Sequence, residues 1–236
     1  MKIDTEGKLN YLRNDTAVIV RRLRESDRKK LLDGFGALSQ LSRYRRFLHN
    51  KNELKQSEID CLFTTAERRG ISFIVFLCND TQTLEEGRCV GLIQLLELES
   101  PGACAEVALV VIDEFHNCGL GKILLGEIEK QAFKRKVQHL YFFTTSDNQP
   151  LIAILNRTGW DISIDRELGS VTYIAKVKQN RDFRPVDNSI KTHAPAHDYQ
   201  AKLIHQGQLL TTSWFKVCLR MVIFMNQFNM NYFKGR

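Results

Sequence analysis

The sequence predicts a mixed α/β domain over residues 1–180, and three observations carry that expectation. Short runs rich in β-branched and aromatic residues alternate with longer segments whose apolar residues recur at helical spacing. Two such runs, 71–78 (ISFIVFLC) and 89–99 (CVGLIQLLELE), are parted by a turn at Gly87 and read as an antiparallel hairpin. A later run, 105–112 (AEVALVVI), leads through a short glycine-bearing turn directly into an amphipathic segment.

Taken in order, residues 17–24 (AVIVRRLR) read as a first strand leading to a helix capped at Ser26 or Asp27. Residues 28–48 then read as helix, interrupted by Gly34 and Gly36 and ending in the basic-aromatic run SRYRRFLH. A second helix is expected over 55–69, followed by the hairpin and the 105–112 strand. The amphipathic helix runs from about Gly119 to Lys136, and QHLYFFT (138–144) is the next strand. A short helix over 149–157 and a strand over 171–178 close an order of β-α-α-β-β-β-α-β-α-β. No internal repeat is visible.

Composition narrows the class. A chain of 236 residues with 43% hydrophobic residues, 14 Gly and 4 Pro excludes collagen-like, low-complexity and mostly disordered readings. No uninterrupted apolar stretch reaches the roughly 18 residues of a membrane span, so none is expected. Residues 1–14 are polar and lack the apolar core of a secretory signal, so a cytoplasmic location is expected. Cys61, Cys78, Cys89, Cys104, Cys118 and Cys218 are scattered without a C-x-x-C pair or neighbouring histidines. No metal is expected, and the thiols read as small apolar residues.

The net charge of +7 is uneven: residues 1–180 hold 26 Lys+Arg against 24 Asp+Glu, and residues 181–236 hold 8 against 3. A nucleic-acid-binding core would carry its own cationic face, so no nucleic-acid partner is expected. Residues 181–198 read as a linker, and 199–236 as a basic amphipathic helical extension. In that extension apolar residues recur at helical spacing at Trp214, Val217, Cys218, Met221, Phe224, Met225, Phe228 and Tyr232, with Lys216, Arg220 and Gln227 on the opposite side. Such a helix can pack on the domain, join a second copy, or lie on an anionic membrane surface.

The segment with chemical content is 106–160. In HNCGLG (His116 to Gly121), two glycines one residue apart let the backbone approach a bound group closely. The helix start adds unpaired N–H donors and the positive end of a dipole, a combination suited to a diphosphate. Alone, this pattern is shared by dinucleotide sites and by plain tight turns. A P-loop is excluded because no GK[ST] follows, and a Rossmann unit lacks its third glycine. After the next strand comes NQPLIAILNRTGW, where Asn148 precedes a short helix that stops at Gly159 before Trp160.

With HNCGLG and NQPLIAILNRTGW in this order and separation, the chain resembles the GNAT superfamily of acyl-CoA-dependent N-acetyltransferases. The likeness spans about residues 18–178, and VRRLRESD (20–27) and LSRYRRF (41–47) are similar to bacterial protein-lysine acetyltransferase domains. It implies a mixed, mostly antiparallel central sheet flanked by helices, with acetyl-CoA as co-substrate. By the same resemblance, main-chain amides of Asn117, Cys118, Gly119, Leu120, Gly121 and Lys122 would hold the pyrophosphate, and the Lys122 side chain either adds a point charge to it or is an ordinary solvated helix lysine. Leu109, Val110 and Val111 would pair through their main chain with the pantetheine arm, and Asn148 would sit beside it or on the adenosine side. His116 stands where the family pattern has Gln or Arg.

Lysine, with a pKa near 10.4, is only about one part in a thousand neutral at pH 7, so amine acetylation gains from a base. Glu106 is the one carboxylate in its strand and matches the position of the base in the protein acetyltransferases that the chain resembles. Strand alternation places it on the face of Ala108 and Val110; the alternative is a carboxylate at the strand's solvent end. Two other family positions are occupied differently: Phe143 stands where some members have glutamate, and Leu155 where many have an acidic tyrosine. Cys118 faces phosphates in this reading, which disfavours a covalent role. The run SRYRRF could meet an acidic substrate, meet the 3′-phosphate of CoA, or be a plain basic helix face. The functional expectation is direct acetyl transfer to a primary amine, a protein lysine foremost. The alternatives are a small-amine acetyltransferase and a non-catalytic acyl-CoA-binding module.

Overall fold

The structure is a computed structural model and describes residues 7–98, 104–167 and 170–177. The expected linker (181–198), the helical extension (199–236) and Cys218 lie outside the described residues. The core is one eight-stranded sheet with the order β1-β2-β3-β4-β5-β6-β8-β7. Its strands are β1 (Lys8–Tyr11), β2 (Ala17–Arg22), β3 (Gly70–Asp80), β4 (Glu85–Glu97), β5 (Cys104–Val111), β6 (His139–Thr144), β7 (Asp161–Glu167) and β8 (Ser170–Lys176). Every neighbouring pair is antiparallel except β5 with β6.

The helices are α1 (Arg28–Gly36), α2 (Gln40–Phe47), α3 (Gln56–Arg69), α4 (Leu120–Lys134) and α5 (Gln149–Leu155). The helix expected over 28–48 is therefore two. Ser39 breaks it with an extended backbone (φ −64°, ψ 159°) and caps α2 by accepting from the Ser42 amide at 3.1 Å. Two strands were not anticipated. β1 pairs with β2 through a turn in which the Leu12 amide donates to Thr16 O at 2.9 Å and Asp15 adopts φ 60°. β7 is an edge strand whose Ile162 and Ile164 alternate with Asp161, Ser163 and Asp165.

The two sheet faces are covered differently. On one face Leu31 of α1 and Ile59 and Phe63 of α3 form a cluster with Ile74, Phe76 and Leu92, with Val110 packed against it. On the other, Leu120, Leu124, Leu125 and Ile128 of α4 are all fully buried, and each such burial contributes about 1.5–3 kcal/mol. Phe142 stacks on Trp160 there, with ring centroids 6.1 Å apart.

A buried ionic cluster ties β2, α1 and β4 together. Arg21 donates to both Asp27 oxygens at 2.7 Å and also engages Glu86, which accepts from Lys30 as well. Arg21 and Lys30 both lie over the Phe76 ring. Asp27 starts α1, as expected, but its carboxylate serves Arg21 and the Arg24 amide rather than capping that helix.

Candidate active site

The sheet opens beside β5. Its ladder with β4 runs the length of the strand, from Ala105 opposite Glu97 to Val111 opposite Gly91. Its ladder with β6 has three rungs and stops at Glu106 opposite Tyr141. From Val107 onward the two strands diverge, so Leu109, Val110 and Val111 border a fork with Glu106 at its apex. Packing on the α4 side holds this shape. A Cβ added to Gly121 would lie 2.5 Å from Ile154 Cδ1 and 3.8 Å from Leu109 Cδ2, so β5, α4 and α5 meet over the missing side chain.

The turn at the mouth of the fork leaves main-chain donors unused by the described chain. Asn117 (φ 60°) and Gly119 (φ 92°) are left-handed, and Gly119 is the N-cap of α4. Left-handed residues within such a turn gather successive N–H groups into an anion-binding concavity. The amides of residues 117–121 have no main-chain acceptor among the described residues. The expectation of six amides narrows by one, because the Lys122 amide donates to Gly119 O at 3.1 Å; its side chain is exposed. His116 is turned back on the strand, with Nε2 3.0 Å from Val111 O. Cys118 Sγ lies 3.4 Å from His116 O.

Glu106 is not at a solvent end. It is 2% exposed, on the same face as Val110, and its Oε2 is buried without a hydrogen-bond partner. Desolvation pushes its carboxyl up to about 8, opposed by the positive charge of Arg46 on α2. An orphaned buried carboxyl oxygen is costly in a folded protein, and such groups cluster at functional sites.

The basic run is held mostly by its own chain. Asp113, in the turn after β5, accepts from the Ser39 amide and from the hydroxyls of Ser39 (2.7 Å) and Ser42 (2.9 Å). Arg45 pairs with Asp147 before α5 at 3.3 Å, Arg43 donates to Gly36 O and Asn52 O, and Arg46 lies over the Phe47 ring. Helix α2 is thereby fastened to both arms of the fork, at Asp113 after β5 and at Asp147 after β6. Sequence reasoning passed over Asp113, and it read Asp147 as a loop polar group near the acceptor without a role. No motif marks either, because their partners lie 74 and 102 residues away.

Asn148 sits beyond the end of β6, and both ends of its side chain are used within the chain. Its Oδ1 accepts from the Leu151 amide as the N-cap of α5, and its Nδ2 donates to Thr144 Oγ1 at 2.8 Å. Phe143 stacks with Tyr141, centroids 6.4 Å apart, and Leu155 is fully buried. Among the described residues no cluster of His, Cys, Asp and Glu is arranged to hold a metal, and no helix is long and apolar enough to cross a membrane.

A fork bordered by a strand edge, a loop of free amides at its mouth and a buried carboxyl at its apex together suit an extended anionic thioester. The comparisons agree. A profile of the acetyltransferase (GNAT) family matches residues 40–160, just over half of the chain. Acetyltransferase PA5475 of Pseudomonas aeruginosa is 24% identical over 134 residues, covering 57% of this chain and 69% of that protein. The GNAT domain of S. lividans PAT superposes with a TM-score of 0.64 at 18% identity, covering 72% of this chain and 96% of that one. Spermidine N-acetyltransferase from Vibrio cholerae, solved with CoA and spermine, superposes with a TM-score of 0.51 at 14% identity, covering 68% and 95%. The chain thus belongs to the GNAT family and is an acetyl-CoA-dependent N-acetyltransferase.

Proposed function

We infer that this enzyme acetylates the side-chain amine of a protein lysine by direct attack within a ternary complex, with Glu106 as the base. The observation that carries this reading is the buried, unpartnered Oε2 of Glu106 at the point where β5 and β6 part. Acetyl-CoA supplies the activated thioester carbonyl. The amides of residues 117–121 would hold its pyrophosphate and the free edge at Leu109, Val110 and Val111 its pantetheine arm. With those contacts the acyl end reaches toward the apex of the fork.

The acceptor arrives as an ammonium and must lose a proton before it can attack. Glu106 in its ionised form takes that proton at Oε2, and its raised pKa makes it a stronger base than an exposed carboxylate. No residue at Leu155 offers a proton to the departing sulfur, and a thiol of pKa about 8.5 leaves as thiolate without one. A protein lysine is favoured over a polyamine because residues 1–180 are nearly neutral, with 26 cations against 24 anions, whereas polycations demand an acidic groove.

Mass spectrometry of an acceptor panel tests this: candidate proteins, lysine peptides and polyamines, each incubated with acetyl-CoA. Acetyl-lysine on protein is the expected product. Acetylation confined to polyamines would establish a small-amine enzyme. CoA binding without transfer to any member of the panel would overturn the protein-lysine reading.

A further inference from the structure

We propose that Arg13, in the turn joining β1 to β2, is the cationic side chain that clasps the diphosphate of the cofactor. This rests on the acetyl-CoA reading above and adds a residue from an element outside the strand-loop-helix motif.

The β1–β2 turn reaches across to the loop at the mouth of the fork. The Arg13 amide donates to Cys118 O at 2.9 Å, which locks the two turns together through main-chain atoms. The Arg13 side chain then runs over Gly119. A Cβ built on that glycine would lie 3.6 Å from Arg13 Cγ, 3.7 Å from Nε and 3.9 Å from Cδ. Arg13 Nε thus lies within van der Waals reach of the space a side chain on Gly119 would occupy, beside a left-handed residue in the run of unused amides. Arg13 is exposed and forms no ion pair among the described residues.

Among residues 116–122 the one lysine or arginine is Lys122, exposed in the first turn of α4, which offers a point charge and not a two-pronged grip. His116 spends Nε2 on the Val111 carbonyl, and Cys118 Sγ lies against His116 O. Main-chain amides supply directional hydrogen bonds but only partial charge, so two phosphate charges gain from a nearby guanidinium able to grip two oxygens at once. β1 has little else to recommend it as a core strand: it is four residues long, with both ends exposed. Its pairing with β2 fixes the turn that presents Arg13.

Calorimetric binding of CoA, dephospho-CoA (which keeps the diphosphate and lacks the 3′-phosphate) and pantetheine separates the possibilities. Arg13→Ala should weaken CoA and dephospho-CoA alike by about tenfold or more and leave pantetheine unchanged. Arg13→Lys should recover part of the loss, as a point charge without the fork. CoA affinity within twofold of wild type in Arg13→Ala would overturn the proposal. So would a loss seen with CoA but not dephospho-CoA, which assigns Arg13 to the 3′-phosphate. An equal loss on pantetheine would overturn it as well, since that marks a distorted loop. Wild-type protein that gives no heat with CoA would refute the cofactor reading itself, a result distinct from all of these.

Discussion

Replacing Glu106 by Gln should make the protein more stable and, at the same time, slower. In the native state the carboxyl is 2% exposed and its pKa rises from an ordinary 4.5 to about 8. The unfolded chain ionises it near 4.5, so between those values the unfolded state is the one that releases the proton. The sign follows: protonated Glu106 costs the fold nothing extra below about pH 4.5, and stability is lost as pH rises from there through about 8. At 1.36 kcal/mol per tenfold, that loss is about 3 kcal/mol at pH 7 and approaches about 5 kcal/mol above pH 9, both as upper limits. Gln keeps the shape and never ionises. Urea unfolding of the two proteins at pH 4.5, 7 and 9 should show wild type and Glu106→Gln close together at the lowest pH and diverging upward. Turnover should fall by about 10²–10⁴-fold in the variant, with acetyl-CoA affinity little changed. In wild type, kcat/KM, which reports the free enzyme, should rise with pH through about 8, and that limb should vanish in the variant. A stability difference that does not change with pH would refute the desolvated-carboxyl account, and unchanged turnover would remove Glu106 from catalysis.

Gly119→Val forces a β-branched side chain into a φ of 92° and against Arg13, so it should cost about 1–3 kcal/mol of stability. CoA affinity, measured calorimetrically on the folded fraction, should fall well beyond that seen for a surface substitution. Asp27→Ala leaves Arg21 buried with one carboxylate partner instead of two and removes the acceptor of the Arg24 amide, at a cost of about 3–5 kcal/mol. Chemical denaturation reads that loss, and a change under 1 kcal/mol would show that Glu86 alone satisfies the guanidinium.

The sequence was most legible where one local pattern dictates one structure. The apolar runs of β3 and β5, the turn at Gly119 and the start of α5 at Asn148 each carry their own signal within a few residues. Glu106 was legible as chemistry for the same reason, as a lone charge in an apolar strand. Its burial was not, because burial depends on α2 folding over the sheet. The break between α1 and α2 was concealed by continuous helical composition, although Ser39 has the chemistry of a cap. β1 and β7 were missed for another reason. Both are short edge strands with polar residues at alternate positions, and only pairing with β2 and β8 makes them strands. Their signals are faint but present: Asn14-Asp15 as a turn pair, and Ile162 and Ile164 two apart. The links from Asp113 and Asp147 to α2 could not be read at all, since long-range partners leave no local trace.

The three-rung junction of β5 with β6 makes this seam the mechanical weak point between the two halves of the sheet. A ligand that bonds along Leu109, Val110 and Val111 acts as a surrogate strand, bridging the halves and rigidifying both. Cofactor occupancy should then be legible as slowed amide exchange in β6 and β8 as well as in β5, so the sheet itself reports whether the enzyme is charged.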